Sequence, residues 1–385
     1  MRVAGCFVLL MMLFGLSANA QTPEPDVAAQ GAILMDAATG RVLWGKNEHT
    51  PLAMASTTKI MTAVLVLESG RLDEIVTVSR AAAATPKVKM NLTPGEKIAL
   101  RNLLHALMLE SSNDAAVAIA EHLSPDGTVA AFCRQMTEKA QSLGAVNTVF
   151  ETPNGLDAGY ELHRSTAYDL AVIARYAMTV PGFETLINTT SAAFASDKRA
   201  YLFHNKNRLL HEYHGANGIK TGFTNKAGHC FVGTAKRDDM LLISVVLASG
   251  WGERGRAQKW TDTKRILNYG FECYDYVTVL GTCGDVGNIP VARSRTAGVR
   301  FAYADPLVCA LNTKNNERVT LRHDIPTHLP APVTVGQRIG TASLYVGDDL
   351  EQKYAEVALL ATEAADRHDL DTTLRRLRKL WLSFF

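Results

Sequence analysis

The chain has 385 residues, 47 % of them hydrophobic and 20 % charged, with a formal net charge of +2. Such a length favours more than one domain, and the composition is that of a globular protein with ample apolar material for a core. A charge so near balance gives no reason to expect nucleic acid as a partner.

Residues 1–20 read as a signal peptide. Arg2 supplies the positive start, Cys6 to Leu16 is apolar, and Ala18-Asn19-Ala20 offers the small-x-small cleavage pattern. The apolar run is shorter than the roughly twenty residues that span a bilayer. Val3-Ala4-Gly5-Cys6 precedes the apolar core and so fails as a lipoprotein box. Export implies an oxidising compartment. Beyond the signal, Cys133, Cys230, Cys273, Cys283 and Cys309 form an odd set without CxxC or Cys/His metal spacing. At least one thiol stays free, and buried structural cysteines are the expectation.

Residues 21–30 are polar and carry proline, as a linker does. Two short apolar runs around Asp36-Ala37-Ala38-Thr39-Gly40 predict a hairpin. Ile60 to Leu67 predicts a helix stopped by Ser69-Gly70, and Leu100 to Glu110 and Ala115 to His122 predict two more. Ser165 to Met178 reads as a helix with Ser165 as its N-cap. Cys230 to Ala235 and Leu241 to Ala248 predict strands joined by Lys236-Arg237-Asp238-Asp239, and Thr263 to Tyr269 returns to helix. Strands at both ends with helices between predict an α+β domain over 31–275, an antiparallel sheet packed with helices. Short β-prone runs between Gly, Pro and Asn turns (Val277 to Leu280, Val299 to Tyr303, Arg318 to Leu321) then predict a small all-β domain over 276–360. In 366–385, Leu370, Leu374, Leu377, Trp381 and Phe384 recur every three or four residues, with Arg375, Arg376, Arg378 and Lys379 mostly off that face. A basic amphipathic helix of this kind suits the plane of an anionic membrane surface.

The candidate chemistry begins at Ser56-Thr57-Thr58-Lys59, where Ser56 alone among the serines has a lysine three residues on. Residues 56 and 59 would stand one helical turn apart on one face. A serine hydroxyl needs an adjacent base to act as a nucleophile, and a lysine serves only if burial or another cation lowers its pKa. Ser111-Ser112-Asn113 lies at the junction of two helical stretches. Lys220-Thr221-Gly222 enters the β-rich region, where Gly222 would leave room for substrate backbone. Lys220 brings a second ammonium towards Lys59, which would keep Lys59 neutral. Each triplet alone is weak. In this order, each in its expected local setting, they form the SxxK, SxN, KTG signature of penicillin-binding proteins and related β-lactamases.

Met54 to Glu68, Asn102 to His122, Asn147 to Leu156, Ser165 to Ala177 and Gly218 to Gly228 extend the resemblance. The chain resembles the low-molecular-mass serine D-alanyl-D-alanine carboxypeptidases, peptidase family S11, well over Gly31 to Phe271 and more loosely beyond. The resemblance implies a β-lactamase/transpeptidase-like domain with a helical subdomain, then an accessory β-domain and a membrane anchor. It implies that Ser56 attacks the carbonyl between two terminal D-alanines of a peptidoglycan pentapeptide stem, with Lys59 as general base. Ser111 and Lys220 would pass a proton to the departing D-alanine, and Asn113 would hold the substrate amide. Lys220 and Thr221 would receive its carboxylate, and the N–H groups of Ser56 and Phe223 would form the oxyanion hole. β-Lactams would acylate Ser56. No cofactor is implied, and the site would face outward from the cytoplasmic membrane.

One stretch departs from the family pattern. Between Ala84 and Asn91 relatives carry a small Gly/Ser-rich loop, whereas here Thr85-Pro86-Lys87-Val88-Lys89-Met90 stands. That bears on substrate preference. Arg208, Arg254 and Arg256 are further candidates for a carboxylate, and His163, His204, His211, His214 and His229 have no metal-ligand spacing. A class A β-lactamase would need Glu-x-x-Leu-Asn between the second and third motifs. Glu161-Leu162-His163-Arg164 is no match. A D,D-endopeptidase acting on cross-links, or a catalytically silent wall-binding protein, would be the other readings.

Overall fold

The computed structural model describes residues 22–281, 284–315, 317–347, 353–367 and 370–383. The signal-peptide reading of 1–20, Cys283 and the terminal Phe384 and Phe385 lie outside them. The described chain divides into two compact units, one of residues 22–273 and one from 274 onward.

The first unit is organised by a five-stranded sheet whose order is Val42–Lys46, Gly31–Asp36, Met240–Leu247, Gly228–Arg237, Ala216–Thr224. Every neighbouring pair is antiparallel. Met240–Leu247 is a nearly unbroken apolar run because both of its faces are covered. Ile33, Met35, Ile243, Val245 and Leu247 join the core shared with the helical region. Leu34 and Leu242, of opposite parity, meet Gly270 of the helix Gly252–Cys273. Alternation along a strand does this, because successive side chains point to opposite faces.

The helix Lys59–Glu68 is buried at Lys59, Ile60, Met61, Thr62, Ala63, Val64 and Val66. Burial nearly all round makes it the central helix of the subdomain. Two expectations are corrected here. The helix Ala167–Ala177 is capped by Thr166, whose side chain accepts from Asp169 N at 2.9 Å. Ser165, the expected cap, instead bridges to Leu52 and bonds Thr148 Oγ1 at 2.7 Å. The helix expected over Thr263–Tyr269 runs from Gly252 to Cys273. Its buried stripe begins with Gly255, Lys259, Trp260, Asp262 and Thr263, so Trp260 is the one apolar side chain among the first five buried positions. Asp262 accepts from Ala28 N and Ala29 N at 3.2 and 3.0 Å, which ties the end of the stretch read as a linker onto this helix.

The second unit carries a six-stranded sheet, ordered Val319–Asp324, Arg338–Val346, Ala355–Ala361, Gly298–Tyr303, Gly287–Ala292, Leu329–Pro330, and a pair Tyr274–Leu280 with Leu307–Asn312. Its core includes Ile289, Val299, Phe301, Leu344 and Leu359. The helix Leu370–Leu382 follows, with Leu374, Leu377, Leu380, Trp381 and Leu382 exposed.

Candidate active site

The three motifs converge in the first unit. Ser56 sits in a tight helical turn, Ala55–Thr58, that runs into Lys59–Glu68. Ala55 has φ +48, a conformation that a non-glycine residue holds only under surrounding constraint. Part of that constraint is Gly155, itself at φ +87. A methyl there would stand 2.0 Å from Ala55 O, so only glycine lets this loop pass behind the turn. The strand Ala216–Thr224 closes the other side. A methyl on Gly222 would lie 3.0 Å from Ser56 N and 3.2 Å from Met54 O. The room left at Gly222 is thus taken by the serine turn itself.

Lys59 is fully buried. Its Nζ lies 2.9 Å from Ser56 Oγ and 2.8 Å from Asn113 Oδ1, and it donates to the main-chain oxygen of Asn154. Burial and the Lys220 charge push its pKa well down, against a smaller opposing pull from Asp114. The partners matter for the chemistry. Asn154 O and Asn113 Oδ1 can only accept, so a neutral amine that spends both hydrogens on them has its lone pair left for the Ser56 hydroxyl, whose other acceptor is Asn154 O at 3.3 Å. The arrangement can therefore take a proton from Ser56.

Asn113 opens the helix Asn113–Leu123 and is 4 % exposed. Its Nδ2 donates to Pro86 O at 3.1 Å and its backbone N–H to Val88 O at 2.8 Å. Asp114 accepts from Met90 N and Leu92 N, both at 3.0 Å. The atypical 85–90 loop is thereby clamped against the site.

Ser111 is at φ +66, at the end of a wide helical turn over Ala106–Glu110. Such turns are frequent at functional sites. Among the described residues its hydroxyl has no hydrogen-bond partner, so it is bonded neither to Lys59 nor to Lys220. Lys220 lies on the strand Ala216–Thr224, 2 % exposed, with Nζ donating to Thr221 O at 3.1 Å. Burial, and then the charge of Lys259, brings its pKa down to about 7, with Glu110 opposing. Thr221 is half-buried, and Phe223 is exposed and lies over His229 at 4.3 Å between ring centres.

Two contributors carry no side-chain signal. Asn154 acts through its carbonyl, and Lys259 is a buried cation (pKa down to about 8, chiefly from burial) outside any motif. The Asn-Gly pair at 154–155 is a turn signal that could have drawn attention to the loop. Of the arginine candidates, Arg208 pairs with Glu212 at 2.6 Å and Arg256 with Glu253 at 3.4 Å, while Arg254 is exposed. Cys133, Cys230, Cys273 and Cys309 are buried. Among the described residues no group of His, Cys, Asp or Glu is placed to hold a metal ion.

A family model described as D-alanyl-D-alanine carboxypeptidase matches residues 18–250, and one described as penicillin-binding protein 5, C-terminal domain, matches 274–367. The chain is similar to the D-alanyl-D-alanine carboxypeptidase DacF of Bacillus subtilis, 30 % identical over 98 % of this chain and 97 % of that one. It is 37 % identical to DacB2 of Mycobacterium tuberculosis, over 65 % of this chain and 84 % of the relative. The crystal structure of penicillin-binding protein 5 from Haemophilus influenzae superposes with a TM-score of 0.73 at 26 % identity, covering 90 % of this chain and all (100 %) of that one. The α+β peptidase fold followed by an all-β domain is thus shared along most of the length, and the β-lactamase and silent wall-binding readings give way. With three motifs converging on one buried lysine and relatives matched along the chain, this protein belongs to the serine D-alanyl-D-alanine carboxypeptidase family, enzymes that act on peptidoglycan peptides and bind penicillin.

Proposed function

We propose that Ser56 is the nucleophile that removes the terminal D-alanine from peptidoglycan pentapeptide stems. Ser56 Oγ bonds to the penultimate D-alanine carbonyl carbon as its proton passes to neutral Lys59 Nζ. The C–N bond then breaks as the proton taken up by Lys59 is relayed through Ser111 and Lys220 to the departing amine, which leaves Lys59 neutral again. Water adds to the acyl-enzyme and restores the Ser56 hydroxyl. Asn113 holds the substrate amide, and Lys220 and Thr221 receive the terminal carboxylate, whose charge would draw Lys220 back towards its ammonium form. The N–H groups of Ser56 and Phe223 stabilise the oxyanion, each for about 3 kcal/mol of barrier. The observation that carries this reading is the contact of 2.9 Å between Ser56 Oγ and a fully buried Lys59 Nζ.

β-Lactams would acylate the same oxygen. Mass spectrometry of the intact protein with penicillin should show one slowly clearing adduct, lost in Ser56→Ala while the thermal transition stays in place. For serine nucleophiles such losses are on the order of 10⁶-fold in rate. An undiminished adduct in Ser56→Ala refutes the assignment.

The segments 1–20 and 370–382 support a location as well. Cleavage after Ala20 would export the enzyme, and the helix Leu370–Leu382 would hold it on the outer face of the cytoplasmic membrane. Its exposed Leu374, Leu377 and Trp381 support a helix lying in the interface plane. No helix among the described residues is long and apolar enough to cross a membrane.

A further inference from the structure

His163, on the segment that follows the Asn154 loop, is 1 % exposed and is hydrogen-bonded to neither Ser56 nor Lys59, yet it reaches the serine turn. Glu151 N donates to its Nδ1 at 3.0 Å. A backbone N–H can only donate, so Nδ1 is the bare nitrogen and the proton sits on Nε2. Nε2 therefore donates to Thr58 Oγ1, 2.9 Å away. The Thr58 hydroxyl in turn donates to Ala55 O at 2.8 Å. This string joins the two halves of the site: the turn bearing Ser56 and Lys59, and the 151–163 segment whose Asn154 carbonyl takes a Lys59 hydrogen.

We infer that His163 is a positioning residue for acyl transfer: its neutral imidazole holds Thr58, and through Thr58 the Ala55 carbonyl, so that Ser56 Oγ stays within reach of Lys59. The inference rests on Ser56 being the acylated residue. Three observations favour it. Ala55 is held at φ +48, a conformation that needs continuous support. The Thr58 hydroxyl has its donor and acceptor roles both filled, so its orientation is determined. The ring is kept neutral by its surroundings. Burial above all brings its pKa down to about 4, and the nearby Lys226 charge acts in the same direction. The carboxylate of Glu151 is turned away, accepting from Leu162 N at 2.8 Å, and Glu161 is paired with Lys226 at 3.0 Å. The remaining ring neighbour is Phe150, edge-on at 6.2 Å.

Stopped-flow acylation of the full chain by a chromogenic cephalosporin tests this, with the acylation constant separated from noncovalent affinity. His163→Leu and Thr58→Val should each acylate about 100-fold more slowly at unchanged affinity, the size of loss that a slight misplacement of reacting groups produces. Thr58→Ser keeps the hydroxyl, and His163→Gln keeps a donor in the place of Nε2. Both should stay within about threefold of wild type, and Thr58→Val/His163→Leu should be no slower than either single variant. If His163→Leu does not fold, the Thr58→Val and Thr58→Ser pair decides. Equal rates for that pair, a His163→Leu rate within about threefold of wild type, or losses that multiply in the double variant would overturn the inference. A wild-type chain forming no adduct would bring down the Ser56 reading, and this inference with it.

Discussion

The unit of residues 22–273 and the unit that begins at 274 are built on opposite terms. The first buries Asp36, Lys59, Glu96, Asp114, Lys220, Lys259 and Asp262, each with little or no exposure. Of the described buried polar and charged side chains, Asn312 alone belongs to the second. Burying charge is costly unless it is paired or neutralised. Among the described residues no carboxylate is paired with Lys59 or Lys220, the pulls of Asp114 and Glu110 fall short of offsetting that cost, and the two pKa values fall. Chains tolerate such groups where chemistry requires them. The second unit has a core of Leu, Ile, Val, Phe and small residues, which yields stability and nothing reactive. The difference teaches where this molecule buries charge: in the unit that carries the three motifs, and not in the strands of the second unit.

The largest test of that contrast is a cavity in the second unit. Leu344 is wholly buried, so Leu344→Ala should cost about 2–5 kcal/mol in denaturant melts. The penicillin acylation rate per folded molecule should stay unchanged. A slowed rate in the folded protein would break the contrast.

A smaller effect comes from Lys220. Its pKa in the folded state is about 7, against 10.5 for an ordinary lysine. Between those values the unfolded chain binds more protons than the folded one, so stability rises with pH across that window and is lost as pH falls towards 7. Wild-type stability minus that of Lys220→Met should therefore climb from about pH 7 to 10. A flat difference would mean that Lys220 is charged in the free enzyme.

The smallest expected effect on catalysis belongs to the tail. Truncation after Arg367 should leave acylation unchanged and move the protein from membranes to the soluble fraction. Continued membrane retention would sink the anchor.

Much of the site was legible in the linear order. Ser56 with Lys59, Asn113 of the second motif, and Lys220 with Gly222 are all brought to one place, because a helical turn and an extended strand set their local directions. The strands flanking Asp36–Gly40 and Lys236–Asp239 stand where alternation and turn residues put them. Other features were hidden for identifiable reasons. The Asn154 carbonyl is main chain, which every residue owns. The helix from Gly252 buries glycine, lysine and aspartate where an apolar stripe would normally show. Thr166 and Ser165 are equally good caps by composition, and the bridge from Ser165 to Leu52 decided between them.

By itself, then, the order of residues determined the reaction class, the α+β unit followed by a β-unit, and the side chains proposed to react, because these follow from local periodicity and from chemical groups that few residues possess. Only the tertiary structure decided that Lys59 is dry, that Lys259 adds its charge beside Lys220, and that His163 reaches the serine turn through Thr58. Burial and through-space charge depend on what the whole chain stacks around a group, and no short window of sequence contains that information.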